Sequence, residues 1–547
     1  MATAPAAALD PITVEVISSS FASITEEMGE ALVRASHSTN IKERRDCSTA
    51  LFDAQGRALC QAEHIPIHLG SFIGFIPFII DHNPPGSIRP GDAFIGNDPY
   101  AGGGTHLPDI VLAKPIFHED DLIGWAINTA HHADFADRGH AHIYQEGLRI
   151  PPIRLYREGR LIEEVQDLIL TNCQVPKERL SDLRAQMASN RLGVQRMVEL
   201  CRRHGADVVK AAGEALLDYA ERKMRAGIAT IPDGTYRFSE VFDCDDLAED
   251  LELSVAITVE GEEMRLDFDG PPQLRNGFNV VRTALLSTVY YAVKCVVDPT
   301  ILPNAGLARP ITVNAPEGSV LNCVHPAAVD SRDGTCQRLA DLIHGALAQA
   351  VPERLTAAGN GSCSYASFIG SHPDDGSLWV YLETIGGGMG ARASKDGLSG
   401  VHVHLTNTSN LPVEALEPEY PITLLRYELV DGSGGAGTHR GGLGLRRVYR
   451  ADAPCRVELH TSRTRTTPWG LNGGLDGGHG EIRLSPGVVR DTDGTFVMHA
   501  GDIFEVVTPG AGGYGPPEAR SAEAVARDVA EGRIDAARAQ EIYGVSA

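Results

Sequence analysis

No run of apolar residues in this chain approaches the roughly 20 needed to cross a bilayer as a helix, so no membrane span is expected. Nor is there a Lys/Arg cluster longer than a few residues, and 48 Lys plus Arg against 72 Asp plus Glu leave a formal net charge of −24. A phosphate-binding surface needs a basic patch, so nucleic acid is excluded as a partner, and the acidity serves solubility. The ten cysteines include no CxxC pair, which argues for reduced, buried thiols and against a disulfide framework or structural zinc site. Cys47, beside Asp46, is accordingly expected to be a small buried hydrophobe. Met1 to Leu9 is alanine-rich, lacks a basic start and runs into the helix-start signal Asp10-Pro11, so no targeting segment is expected and the cytoplasm is the expected compartment. Also missing are an HExxH signature and the lysine of a phosphate-binding P-loop. The glycines of Gly386-Gly387-Gly388-Met389-Gly390 are therefore expected to serve tight turns or close backbone packing.

What is present is 547 residues, 43% of them hydrophobic, enough for a large core in two or three domains. His106 and Asp109 follow a glycine run, Gly102-Gly103-Gly104-Thr105-His106-Leu107-Pro108-Asp109, and His131 lies in Asn128-Thr129-Ala130-His131-His132-Ala133-Asp134. Between them, Ile110–Ala113 and Leu122–Ile127 are apolar runs separated by the polar His118–Asp121, a β-hairpin pattern. Antiparallel pairing brings His106, Asp109 and His131 together, where imidazole nitrogen and carboxylate oxygen suit a divalent ion such as zinc or manganese with one position open. The alternative on spacing alone is that these residues cap turns or make buried hydrogen bonds. Asp46, directly before a strand-like segment, is a fourth candidate that sequence distance does not place.

Pro11 to about Ser36 reads as a helix, with Asp10 as cap and Pro11 in the first turn. A strand-rich segment is expected from about 48 to 170, then a helical pair over 180–230 broken at His204-Gly205. Ile231-Pro232-Asp233-Gly234 marks a switch to short alternating strands, dividing the chain into 1–231, carrying the site, and 232–547. Helices are expected over 283–297 and 337–351, strands over 456–460 and 503–507, and two small C-terminal helices split near Gly532. The fold class expected is α+β, multi-layered, with mainly antiparallel strands and helical segments in two or three closely packed domains.

These residues have recognisable neighbours: Glu43-Arg44-Arg45-Asp46, His64-Ile65-Pro66-Ile67-His68-Leu69-Gly70-Ser71, Gly96-Asn97-Asp98-Pro99-Tyr100 and Gln145-Glu146-Gly147-Leu148-Arg149-Ile150-Pro151-Pro152. With Pro316-Glu317-Gly318-Ser319, Pro468-Trp469-Gly470 and Pro509-Gly510-Ala511-Gly512-Gly513-Tyr514-Gly515, the chain resembles the hydantoinase B family along nearly its whole length. The resemblance implies a metal-bearing subunit of an ATP-dependent hydantoinase, lactamase or 5-oxoprolinase, with related subunits in acetone and acetophenone carboxylases. It implies Asp46, His106, Asp109 and His131 as metal ligands, and a hydantoinase A type partner that binds ATP and phosphorylates the substrate's carbonyl oxygen. The absence of any recognisable nucleotide motif agrees with a hetero-oligomer of this kind.

The expected function is thus metal-dependent opening of a small cyclic amide, a hydantoin, 5-oxoproline or a lactam, by hydroxide formed at the ion. Glu146 is the first choice for proton transfer, and Asp98, His132 and Asp134 are further candidates for that role or for orienting the ligands. His64 and His68 flank Pro66 and are expected to be structural. The alternatives are a subunit of an ATP-dependent ketone carboxylase and a non-catalytic scaffold subunit.

Overall fold

The computed structural model describes residues 9–62, 64–132, 141–244, 247, 249–491 and 494–544. Asp134 lies outside them. A seven-stranded sheet organises the N-terminal part, its strands running in spatial order Ala58–Gln61, Cys47–Asp53, Asp121–His131, Asp109–His118, Ala93–Gly96, Ile153–Arg157 and Arg160–Leu161. At its centre is the expected hairpin, antiparallel from His118 opposite Asp121 down to Asp109 opposite His131.

Both faces of this sheet are buried, which is why its central strands read as near-continuous apolar runs. Leu51 and Ala126 face Phe21, Met28 and Leu216, among the helices Pro11–Ala35, Pro176–His204 and Ala206–Ile228. Phe52, Trp125 and Ile127 face Phe72, Phe75 and Ile79 on the other side. The first helix is capped as expected, the Asp10 carboxylate accepting from Thr13 N at 3.3 Å.

The strand-rich expectation for 48–170 needs correction at three places. His68–Ile73, Phe75–His82 and Glu163–Thr171 are helices. Phe75-Ile76-Pro77-Phe78-Ile79-Ile80 is aromatic and β-branched and so looks strand-like, but it covers the apolar sheet face, and burial overrides propensity. Pro77 sits in the first turn, where a missing N–H costs nothing.

Beyond residue 231, a four-stranded sheet holds Gly234–Phe242, Leu251–Glu260 and Glu263–Asp269 in antiparallel order, with Ile311–Asn314 added in parallel. The helices Arg282–Val297 and Arg332–Leu347 pack with it in the largest apolar cluster, which also takes in Ile65, Leu107, Ile143 and Met224 from the N-terminal part. The last two four-stranded sheets enclose a separate core in which Tyr449 stacks on Phe504 with ring centres 4.9 Å apart. The architecture is α+β with predominantly antiparallel pairing.

The glycine-rich C-terminal half is backbone laid on backbone. A Cβ at Gly390 would stand 1.7 Å from the Ala357 carbonyl oxygen, and one at Gly442 1.8 Å from that of Leu398. These glycines are packing contacts, as expected.

Candidate active site

Three adjacent strand ends deliver the sequence-predicted donors to one place. Asp109 opens its strand directly across from His131, and the His131 N–H donates to the Asp46 carbonyl at 3.0 Å, just ahead of Cys47 opposite Ala130. His106 precedes Asp109 in a turn that requires Gly104 at φ +80°, where a Cβ would come within 3.0 and 3.2 Å of the carbonyl oxygens of Asn97 and Asp109. Asp46, His106, Asp109 and His131 all line one cleft of about 70 Å³.

His68 joins them, at the start of the helix His68–Ile73. Its Nε2 is 3.5 Å from Asp109 Oδ1 and 3.7 Å from Asp46 Oδ1, and its Nδ1 meets Ser48 Oγ at 3.0 Å. Of the two histidines that flank Pro66, His68 is the one that reaches the cleft. The helix that places it over the strand ends was itself not anticipated. His64 does not line this cleft, and its ring lies against Gly29 of the first helix.

The second half of the chain supplies the rest of the wall: Asp330, Arg332 and Asp333 at the start of helix Arg332–Leu347, Cys363, Tyr365 and Ser367 around strand Ser364–Ser371, and Glu458 from strand Cys455–His460. None of these was singled out from the sequence. A polar Asp-Ser-Arg-Asp run before a helix looks like an ordinary N-terminus. A single glutamate between Val457 and Leu459 is the one local signal available for that strand.

Asp109 is the electrostatic centre. It is fully buried, and its Oδ2 accepts from Arg332 Nη2 at 3.2 Å and from Ser71 and Thr105 hydroxyls at 3.4 Å each. Its Oδ1 has no hydrogen-bond partner and stands 3.3 Å from His106 Nε2, which has none either. The pair is within ion-pair range without being aligned as a hydrogen bond. On the other side of the ring, His106 Nδ1 is 3.0 Å from the Asp330 carbonyl, so Nδ1 carries hydrogen and Nε2 is the atom turned to Asp109. Burial raises the Asp109 carboxyl, but the neighbouring His106 and His68 imidazoles hold it well below the usual range. Burial and Arg332 disfavour charge on His106, yet Asp109 and Asp330 outweigh them and push it up to about 9. The site draws positive charge to the space between these atoms. His131 behaves differently: burial takes it down to about 4, against the pull of Asp46, and it is neutral at pH 7.

These donor types fit a divalent ion, and a four-coordinate ion with bonds of about 2.0–2.1 Å sets its ligands about 3.4 Å apart. The His106–Asp109 and His68–Asp109 separations are of that size. The fit is pairwise only. Among the described residues, no group of three or more His, Cys, Asp and Glu side chains is arranged to touch one ion. His131 Nδ1 faces Asn40 Nδ2 at 3.1 Å, and that amide is oriented by Arg44 on its oxygen, so this nitrogen accepts a hydrogen bond.

The three sequence-predicted proton-transfer residues are not in the cleft. Glu146 Oε1 accepts from the N–H groups of Val329 and Asp330 at 2.7 and 2.8 Å, fixing the very loop whose carbonyl holds His106. It is a positioning group. Asp98 is held by Arg149 at 2.8 Å and accepts from Tyr100 N at 3.0 Å, a turn-forming role. His132 is buried between Arg179 and Gln186, at 3.0 and 3.1 Å, and burial with the Arg179 charge presses it down to about 3. Cys47 is fully buried, and burial holds its thiol far above the ordinary range, as expected of an inert core residue.

Residues 10–517 match the family model described as hydantoinase B/oxoprolinase. The chain belongs to that family. A family relative from Methanocaldococcus jannaschii is 39% identical over 98% of this chain and 96% of its own. The caprolactamase subunit beta of Pseudomonas jessenii is 31% identical over 98% of this chain and 96% of its own. 5-Oxoprolinase 1 of Arabidopsis thaliana is 31% identical over 92% of this chain, which spans only 42% of that longer polypeptide. Among solved structures, the ATP-dependent caprolactamase of P. jessenii superposes with a TM-score of 0.87 at 29% identity, covering 99% of this chain and 97% of that one. A nucleotide-free acetone carboxylase gives a TM-score of 0.88 at 20% identity, covering 98% and 79%, a likeness of fold.

Proposed function

We propose that this hydantoinase B family chain is the ring-opening subunit of a two-component, ATP-dependent cyclic amidase, acting on a hydantoin, 5-oxoproline or a lactam. The observation that carries the reading is the buried His106–Asp109 pair, its facing atoms without hydrogen-bond partners, in a cleft on the fold that a caprolactamase shares over its length. A divalent ion, zinc in the first instance and manganese in the second, would be held by His106 and Asp109, with Asp46, His131 and His68 as the further donors that line the cleft. When bound it supplies Lewis acidity toward water or the amide oxygen. The chain's own groups prepare the site: Arg332 occupies Asp109 Oδ2 and leaves Oδ1 inward, while the Asp330 carbonyl fixes the His106 tautomer. Ile65, Ile67 and Leu382 give the cleft an apolar side for the methylenes of a ring.

The partner we infer is a hydantoinase A type subunit that binds ATP. The match to 42% of a longer 5-oxoprolinase supports it, because that polypeptide has room for a second component beside the region matched here. The setting we infer is cytoplasmic, where the ten free cysteines stay reduced. No helix of the described residues is long and apolar enough to cross a membrane. The carboxylase alternative rests on likeness of fold alone, and products formed with and without bicarbonate distinguish it.

The test is to purify the chain alone and with the A-type subunit, measure bound zinc and manganese, and follow ATP-coupled ring opening. Stoichiometric metal, and turnover that needs both subunits, are expected. Metal-free protein whose complex is indifferent to His106→Ala would overturn the reading.

A further inference from the structure

Glu458 lines the same cleft from strand Cys455–His460 and is 7% exposed. Its Oε1 accepts from Tyr365 Oη at 2.9 Å and is 2.9 Å from His460 Nε2, and the two rings lie 4.7 Å apart between centres. The other cleft carboxylates have different neighbours. Asp46 and Asp109 stand among the imidazoles, Asp330 lies 3.7 Å from His106, and Asp333 is 3.4 Å from the Arg332 guanidinium. Glu458 Oε1 lies within hydrogen-bond distance of a phenol and an imidazole, which orient it. His460, Tyr365, Cys363 and Asp333 also line a small neighbouring pocket of about 10 Å³.

We propose that Glu458 is the proton-transfer group of the cleft and that Tyr365 and His460 hold its carboxylate in place. The assignment rests on the ring-opening reading above. As the water oxygen bonds to the ring amide carbon, Glu458 takes a proton from that water. As the C–N bond breaks, the proton passes to the departing nitrogen. With the carbonyl oxygen phosphorylated from ATP by the partner, addition of one water and C–N cleavage give the freed ring nitrogen, an amine or a hydantoin's carbamoyl nitrogen, and an acyl phosphate. A second water splits that to carboxylic acid and phosphate, and no oxidant or reductant is needed. Burial keeps the Tyr365 phenol protonated far above its ordinary value, so it remains a donor to Glu458 throughout.

The test uses the complex assembled with the nucleotide-binding partner, assayed on 5-oxoproline, hydantoin and a lactam. Glu458→Gln, which keeps the side chain's volume, and Glu458→Ala are each expected to lower kcat by about 10²–10⁴-fold. KM, bound metal and the thermal midpoint should stay at wild-type values. Formate should restore part of the turnover of Glu458→Ala, which a structural role would not allow. Unchanged turnover in Glu458→Gln overturns the assignment, as does a loss in Glu458→Ala that formate leaves untouched. A wild-type complex that opens no cyclic amide takes down the functional reading, and the Glu458 assignment with it; a wild-type complex that does so while both variants keep pace removes Glu458 alone.

Discussion

His106 Nε2 and Asp109 Oδ1 face each other across 3.3 Å inside the protein, and neither has a hydrogen-bond partner. A divalent cation placed between these two atoms can take over the loose ion pair they form with each other. Zinc or manganese is therefore expected to stabilise the chain, by about 2.7 kcal/mol at a hundredfold excess over Kd. Thermal melts with metal and with chelator check this. His106→Ala and Asp109→Asn should each weaken metal binding at least about tenfold in titration calorimetry, the scale seen when a site's supporting contacts are lost.

Arg332 is buried, with one nitrogen shared between Thr105 Oγ1 at 3.0 Å and Asp109 Oδ2 at 3.2 Å. Arg332→Met leaves the Asp109 charge without its cationic neighbour and is expected to cost about 3–5 kcal/mol in urea denaturation. Arg332→Lys should recover little, because a single ammonium does not reproduce the fork.

Glu146 separates two roles cleanly. Glu146 accepts from the 329–330 backbone, and Glu146→Gln should keep most activity, since an amide oxygen can still accept from both N–H groups. Glu146→Ala should cost about 2–4 kcal/mol, by orphaning two buried donors. A loss of turnover above about 100-fold in Glu146→Gln would restore the proton-transfer role expected from the sequence.

His344 is buried against the Ala292 carbonyl, with His404 and Asp341 as its charged neighbours, and burial lowers it to about 4. In the unfolded chain it titrates near about 6.5, so between these values the unfolded state binds the extra proton. Its contribution to stability is complete above about pH 6.5 and is lost as pH falls toward 4, by up to about 3 kcal/mol. Denaturant midpoints of wild type and His344→Asn at pH 7 and 4.5 should show a shallower pH dependence in the variant.

Gly390→Ala places a methyl group 1.7 Å from a carbonyl oxygen of the neighbouring backbone. Backbone cannot rotate away as a side chain can, so misfolding or a loss of more than about 3 kcal/mol is expected, readable as soluble yield and thermal midpoint.

Much of this molecule was legible in its sequence for a definite reason. The 109–131 hairpin, the Pro11–Ala35 helix and the His204-Gly205 break are local, set by periodicity and by turn chemistry within a few residues. The donors His106, Asp109 and His131 came with the hairpin, because its register brings them together. Asp46 was placed by resemblance, and strand pairing now gives the cause. What stayed hidden was non-local. Helices 68–73 and 75–82 fall inside a segment that reads as strand-rich, because Phe75–Ile80 is aromatic and β-branched while its helical form comes from covering the apolar sheet face. Asp330, Arg332, Tyr365 and Glu458 reach the cleft from more than 190 residues beyond His131, a distance no periodic pattern spans. Glu146 and His132 do not line the cleft, because contacts distant in sequence decide which side of a strand or loop faces the cavity.

The cleft is walled on one side by residues 46–131 and on the other by residues 330–458. Cutting the polypeptide anywhere between those stretches would leave each fragment holding half a vessel, imidazoles in one and Tyr365 with Glu458 in the other. Any chemistry done there would return only when the fragments found each other again, which makes complementation of split chains a direct gauge of how much of the reaction each bank provides.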